Sequence, residues 1–255
     1  MRGRPHPDPQ SAKRHAERLL LARGGALLQA TPEDAPASEA DAYAIQALVA
    51  ARLGPIGGFK AGRRQAGDTP AIAPIQGAAI RAGCAVIPAG ESRLRGVELE
   101  IGFVLLADPP DPTIPDFLAR LRASVAALPA LEIVESRLSD AEAAGPLWKL
   151  ADNQINGSLV LGAPVADWSG CDLCAPAARL EIGTDTVWND PAPVPGGDAF
   201  ATLAAFVGAV GSHCGGLRRG HVVITGTITG LRHARAGQPV IGHIEGLGSV
   251  SACFE

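Results

Sequence analysis

Apolar residues in the first part of the chain recur with the spacing of helices. Leucines cluster between residues 10 and 30, which predicts a first helix. Ser38, with Asp41 three positions later, resembles a capping box and predicts the start of a second helix. Gly54 and Pro55 predict where that helix ends, because neither residue continues a helix well.

Beyond the second helix, apolar and polar positions begin to alternate, which predicts strands. The predicted strands are 96–103, 129–134, 159–162, 179–187, 221–225, 238–244 and 246–250. Helical spacing returns at residues 115–127 and 198–212, and in a stretch that ends at Leu150. We therefore expect an α+β fold, in which a helical N-terminal segment, residues 1–55, and a β-rich body, residues 56–255, form one compact unit.

Composition and charge narrow the class of protein. The 255 residues are 47% hydrophobic, which is enough for a sizeable core. The net charge of −4 comes from mixed acids and bases without a basic stripe, and no apolar run is long enough to span a membrane, so we expect neither a nucleic-acid partner nor a membrane partner. Residues 1–7 lack the apolar core of a signal peptide, and the five cysteines are irregularly spaced, so we expect a cytoplasmic protein.

Paired glutamates on one predicted strand are the first candidates for chemistry. Glu98 and Glu100 alternate with apolar neighbours, so both project from the same face, about 6.6 Å apart along the strand. Glu132 lies between apolar residues on a second predicted strand, where a buried carboxylate needs a counter-ion. Three carboxylates suit Mg²⁺ or Mn²⁺. Such a pair is more often only the solvated face of a sheet, and the residues alone leave both interpretations open.

Two further polar features accompany the glutamates. Lys60 lies between glycines in an apolar segment, where it is either a solvated lysine or a positioned cation. The glycines indicate that another segment or a ligand approaches the backbone closely. Asp152 and Asn153 begin a dense polar stretch, a composition that also builds ordinary turns. The chain has no dinucleotide-binding or P-loop glycine motif and no serine-hydrolase elbow.

Taken in order, several of these stretches resemble the 2-keto-4-pentenoate hydratase family of the fumarylacetoacetate hydrolase superfamily. The matching segments are 42–46 (AYAIQ), 58–62 (GFKAG), 97–103 (VELEIGF), 129–137 (PALEIVESR), 151–153 (ADN), 160–162 (VLG), 225–230 (TGTITG) and 246–250 (GLGSV). The resemblance implies a mixed β-roll or sandwich fold with N-terminal and inserted helices, and a homo-oligomer. It also implies Mg²⁺ or Mn²⁺ held by Glu98, Glu100 and Glu132.

The resemblance further implies a reaction on a small unsaturated 2-hydroxy or 2-oxo acid from the catabolism of aromatic-ring cleavage products. A dienol takes a proton at its far carbon, and water then adds to give a 4-hydroxy-2-oxo acid. Lys60 would stabilise the enolate or move a proton. Asp152 and Asn153 would orient the substrate or a water molecule, and Thr227 would bind the substrate carboxylate.

Some positions depart from the family pattern and leave other activities open. Ile155 and Asn156 stand where the family often has two serines, and Ala71 follows Pro70 where the family commonly has aspartate. The closest alternative is a metal-dependent decarboxylase of 4-oxalocrotonate type, for which Arg63 or a neighbouring arginine would bind a second carboxylate. An alternative of another class is a catalytically degenerate protein that only binds a small acid or a partner subunit.

Overall fold

The computed structural model describes residues 8–255 of the chain. The expectation that residues 1–7 are not a signal peptide falls outside the described residues. Within them, helices α1 to α6 are Pro9–Ala22, Glu39–Leu53, Phe117–Ala123, Ala141–Ala144, Pro146–Ala151 and Ala199–Val210. Strands β1 to β13 are Ile56–Gly62, Ala71–Gln76, Ile80–Ala82, Cys84–Ile87, Gly96–Leu105, Val125–Val134, Asn156–Leu161, Ala177–Ile182, Asp185–Pro191, Val222–Thr227, Arg232–His233, Pro239–Ile244 and Gly248–Phe254.

Both N-terminal helices start at capping side chains. Asp8 accepts a hydrogen bond from the Gln10 backbone N–H, and Ser38 accepts one from the Asp41 backbone N–H, as its capping-box spacing predicted. The first helix is shorter than predicted because it ends at Ala22 rather than residue 30. The chain then reaches Gly25, whose φ of 117° is not helical. The helices α1, α2 and α5 share one apolar cluster.

The strands form two sheets of mixed direction. The larger has eight strands, seven in the order β2-β1-β10-β5-β6-β7-β3, with β11 also pairing with β5. Its ends approach each other, since β2 contacts β7, so this sheet curls. The smaller sheet has the order β4-β13-β12-β8-β9. The mixture of sheets with separate and inserted helices confirms the predicted α+β class.

The main core lies on one face of the curled sheet, which packs against the smaller sheet and α6. Strands β1, β5 and β6 send alternate side chains into this core, among them Phe59, Leu99 and Leu131. Phe59 packs against Phe206 of α6, with ring centroids 5.5 Å apart and ring planes tilted by 48°. Residues at the intervening positions face the inside of the curl, where a second, smaller apolar cluster includes Leu128 and Ile224.

Two predicted boundaries were wrong for one shared reason. The predicted helix 115–127 is only Phe117–Ala123, and the predicted strand 129–134 already begins at Val125. Every residue from Val125 to Val134 is buried, so no alternation marks where this strand starts.

The division into residues 1–55 and 56–255 stays a prediction. Among residues 8–255, no helix is both long enough and apolar enough to cross a membrane.

Close approach of backbones explains one of the glycines beside Lys60 and gives a first prediction. A Cβ atom at Gly58 would lie 2.4 Å from the carbonyl oxygen of Val222 in the neighbouring strand β10. We expect Gly58→Ala to lower the free energy of unfolding by about 1–3 kcal/mol, because β1 and β10 must separate. The measurement is urea denaturation followed by circular dichroism.

The matched control is Gly208→Ala, in helix α6. A Cβ atom there meets nothing within 4 Å, so the free energy of unfolding should rise slightly, by less than about 1 kcal/mol. Equal stability of the Gly58→Ala variant and the unaltered protein would contradict the close approach.

Candidate metal centre

Adjacent strands bring the three predicted carboxylates together inside the curl. In the antiparallel pairing of β5 with β6, Glu98 lies directly opposite Glu132. Glu100 projects from the same face, because Val97, Leu99 and the other intervening residues belong to the main core. One carboxylate oxygen from each glutamate lies within 4.8 Å of the other two.

The ammonium group of Lys60 lies against this cluster. Strand β1 places Lys60 on the same face, since its neighbours Phe59 and Ala61 point into the main core. Lys60 Nζ is 2.7 Å from Glu132 Oε2 and 3.5 Å from Glu98 Oε2. The structure therefore brings together four residues from three strands, β1, β5 and β6, that are far apart in the sequence.

Hydrogen bonds hold one carboxylate oxygen of Glu100 and one of Glu132. The backbone N–H of Gly226 donates to Glu100 Oε2 at 2.6 Å, and Asn156 Nδ2 donates to Glu132 Oε1 at 2.8 Å. Glu100 Oε1 is buried without a hydrogen-bond partner among the described residues. A buried oxygen without a donor is costly in a protein interior.

Charge balance also fits a divalent cation. Three ionised carboxylates and one ammonium leave two uncompensated negative charges in a largely buried site. Oxygen donors in this number leave coordination positions open for substrate or water on Mg²⁺ or Mn²⁺. The residues present therefore fit the metal that the sequence predicted.

Burial shifts the pKa values of these groups. Burial raises the pKa of Glu98 to about 7, although Lys60 acts in the opposite direction. Burial and the charge of Glu132 raise the pKa of Glu100 well above its ordinary value. Burial lowers the pKa of Lys60, but the three glutamates outweigh it and raise that pKa overall, so Lys60 stays protonated.

Thr227 also lies beside the cluster. In the pairing of β10 with β5 it stands opposite Glu100, so the two side chains share a face. Its Oγ1 is buried and has no hydrogen-bond partner among the described residues. This hydroxyl is therefore available to a ligand inside the curl.

Asp152 is engaged in contacts of its own. Its Oδ2 accepts from the Ser136 hydroxyl at 2.9 Å and from the Arg137 backbone N–H at 3.0 Å, and its Oδ1 accepts from Arg137 Nε. Both Asp152 and Arg137 are buried. The structure thus places this carboxylate in an ion pair with Arg137, not among the three glutamates.

Asn153 begins a strained segment. Asn153, Gln154 and Ile155 have φ values of 53°, 51° and 57°, a left-handed conformation that is uncommon for residues other than glycine. Asn153 is buried, and its Oδ1 has no partner among the described residues. The roles of Asp152 and Asn153 in the chemistry stay predictions.

Some contacts of the glutamates were not predicted from the sequence. Asn156 and the backbone of Gly226 hold two of the glutamates, and both lie in polar or glycine-rich stretches that could have drawn attention to them. Arg63, expected as a possible carboxylate-binding cation, is buried and donates to the carbonyl oxygen of Gly196 at 3.0 Å. Arg64 is exposed.

Comparison with known proteins relates the chain to hydratases. No family model matches it. It is 30% identical over 178 residues to 2-keto-4-pentenoate hydratase 2 of Dechloromonas aromatica (strain RCB), a match covering 66% of this chain and 64% of that protein. It is 32% identical over 168 residues to 2-hydroxyhexa-2,4-dienoate hydratase of Comamonas testosteroni, covering 62% and 59%. The matches thus span less than two thirds of these relatives.

Solved structures extend the likeness to nearly the whole chain. The 4-oxalocrotonate decarboxylase from Pseudomonas putida G7, complexed with magnesium and adipate, matches with a TM-score of 0.79 and 22% identity, covering 97% of this chain and 98% of that chain. A fumarylpyruvate hydrolase from Pseudomonas aeruginosa, in complex with Mn²⁺ and pyruvate, matches with a TM-score of 0.54 and 19% identity, covering 77% and 88%. The predicted resemblance is confirmed: the chain is similar in sequence to 2-keto-4-pentenoate hydratases and has the fold of 4-oxalocrotonate decarboxylase.

Proposed function

We propose that the protein is a metal-dependent hydratase that adds water to a 2-hydroxy-2,4-dienoate and forms a 4-hydroxy-2-oxo acid. The observation that carries this proposal is the cluster of Glu98, Glu100 and Glu132 against Lys60 inside the curled sheet. The hydratases that resemble the chain in sequence support the choice of reaction. The substrates would come from the catabolism of aromatic-ring cleavage products.

The three glutamates would hold Mg²⁺ or Mn²⁺. When bound, such a cation supplies Lewis acidity that stabilises negative charge on the oxygen at C2 of the substrate. Structures with this fold contain magnesium, calcium or Mn²⁺, which supports a divalent ion without selecting one.

The chain's own residues would bind the acid and move protons. The Thr227 hydroxyl is free to donate a hydrogen bond to the substrate carboxylate. The Lys60 ammonium, held protonated by its glutamate neighbours, adds positive charge where the enolate develops. The buried Asn153 amide would help to orient the substrate. The dienol loses the proton of its 2-hydroxyl and takes one at C5, which leaves a 2-oxo group conjugated to a C3–C4 double bond. The hydroxyl of water then bonds to C4 and a proton bonds to C3, so one water is added without net oxidation or reduction.

A second candidate is decarboxylation of a 4-oxalocrotonate-type acid. The observation that favours it is the match to the decarboxylase structure over 97% of this chain. The same stabilisation of an enolate serves loss of CO₂ and addition of water.

We further propose that the curled sheet is the β-roll implied by the family resemblance, and that the protein is a cytoplasmic homo-oligomer.

Proton NMR of substrate mixtures tests the proposed reaction directly. Purified protein with Mg²⁺ is incubated with 2-hydroxypenta-2,4-dienoate or with 4-oxalocrotonate, each beside a chelated control. The hydratase proposal predicts 4-hydroxy-2-oxopentanoate that stops forming on chelation. Metal-dependent CO₂ loss from 4-oxalocrotonate without hydration would move the assignment to the decarboxylase. No turnover of either acid would favour a protein that only binds.

Removing one carboxylate should abolish metal-dependent turnover and leave the fold intact. We expect Glu98→Gln and Glu132→Gln each to lower the rate at least about 100-fold, because an amide is a weaker ligand for Mg²⁺ than a carboxylate. Circular dichroism checks the fold. The control is Glu142→Gln, whose side chain is 84% exposed and pairs with Lys149. Full activity of either site variant would exclude the metal cluster as the catalytic centre.

The raised pKa of Glu98 predicts how metal binding depends on pH. Its folded-state pKa of about 7 exceeds the value near 4.3 of an unfolded glutamate, so the folded metal-free protein binds more protons between these values. This stability contribution is present at low pH and is lost as pH rises through 7. Mg²⁺ binds the ionised form, so the rise in melting temperature on adding Mg²⁺ should be larger at pH 8 than at pH 6.

Melting curves with and without Mg²⁺ measure this difference, with Glu98→Gln as the comparison. The variant should show a smaller dependence on pH between 6 and 8. An Mg²⁺ effect that is constant or declines over this range would contradict the assignment of a raised pKa to the binding site.

A further inference from the structure

We propose that Asp152, Arg137 and Asn156 form a buried positioning chain that orients the carboxylate of Glu132 toward the metal. This inference rests on the proposed metal site and assigns Asp152 a role different from the substrate contact predicted from the sequence. Asp152 and Asn156 become positioning residues, since they act through another side chain.

The first link is the ion pair of Asp152 with Arg137. Besides the contacts to both Asp152 oxygens, Arg137 Nη2 donates to the backbone carbonyl of Asp152 at 2.7 Å. The side chains of Arg137 and Asp152 are 6% and 1% exposed, so water does not compete strongly for these bonds. The guanidinium therefore has one fixed orientation.

The second link carries this orientation to Asn156. Arg137 Nη1 donates to the backbone carbonyl of Asn156 at 2.8 Å, which fixes the start of strand β7. Asn156 Nδ2 in turn donates to Glu132 Oε1 at 2.8 Å. The other oxygen of Glu132 faces Lys60 Nζ at 2.7 Å. Glu132 is thus held from one side by the amide and from the other by the ammonium.

The left-handed segment 153–155 supports a chain that is held at both ends. Three consecutive non-glycine residues keep φ values above 50° only where the surrounding contacts impose them. Asp152 anchors the segment at one end and Asn156 at the other, while Gln154 Nε2 donates to the carbonyl of Ala71 at 3.0 Å. Releasing Asp152 should therefore loosen Asn156 and, through it, Glu132.

Mg²⁺ affinity tests the proposal, because groups that orient a metal ligand typically change affinity 10–100-fold when removed. Isothermal titration of the metal-free full chain with Mg²⁺ is the measurement. We expect Asn156→Leu, which keeps the branched arrangement of heavy atoms and loses the donor, to weaken binding about tenfold or more. The matched control, Asn189→Leu, changes an exposed asparagine in β9 and should bind Mg²⁺ like the unaltered protein.

A double-mutant cycle tests whether Asp152 acts through Asn156. Asp152→Asn should also weaken Mg²⁺ binding, and the double variant should be no weaker than Asn156→Leu alone, because both changes release the same carboxylate. If Asp152→Asn does not fold, Ser136→Ala, which removes one hydrogen bond to Asp152, takes its place. Saturating Mg²⁺ should restore most of the turnover in each variant, as a purely positioning role requires.

The outcomes separate this proposal from the proposed function. Unchanged Mg²⁺ affinity in Asn156→Leu, or fully additive losses in the double variant, would overturn the positioning chain even in an active enzyme. Weakened Mg²⁺ binding with the expected non-additivity would support it even if neither test acid is turned over. Absence of Mg²⁺ binding by the unaltered protein would overturn the metal site and the positioning chain together.

Discussion

The cost of gathering three carboxylates inside the curled sheet is the constraint on which the site depends. Glu100 and Glu132 are fully buried, and Glu98 is only 13% exposed at its side chain. The ammonium of Lys60 compensates part of this charge. Burial and the remaining repulsion between carboxylates raise the pKa values of Glu98 and Glu100. A divalent cation would complete the balance, which makes the arrangement intelligible as a binding site rather than as a structural ion pair.

The fold supplies this arrangement through strand register. Along β1, β5 and β6, successive side chains point alternately into the main core and into the inside of the curl. The apolar packing of Phe59, Leu99 and Leu131 therefore determines where Lys60 and the glutamates point. A shift of one residue in any of these strands would exchange charged and apolar side chains between the two faces. The energy of the core therefore also holds the polar site in place.

The sequence predicts those parts of the molecule that depend on local pattern. Alternation placed Glu98 and Glu100 on one face of a strand, and the glycines beside Lys60 predicted the close approach of a segment or a ligand, which at Gly58 is the backbone of β10. The start of β6 was missed because its apolar run has no period. The bond of Asn156 to Glu132 was not predicted, because it needs both a pairing of β6 with β7 and the left-handed residues before Asn156, neither of which is encoded locally.

Anomalous diffraction from crystals grown with Mn²⁺ tests the central claim most directly, because it locates the ion without relying on activity. The account predicts one strong anomalous peak inside the curl, with an oxygen of each of Glu98, Glu100 and Glu132 at a distance of about 2.0–2.3 Å. The absence of an anomalous peak beside these glutamates, whether Mn²⁺ binds elsewhere or does not bind at all, would contradict the proposed metal site.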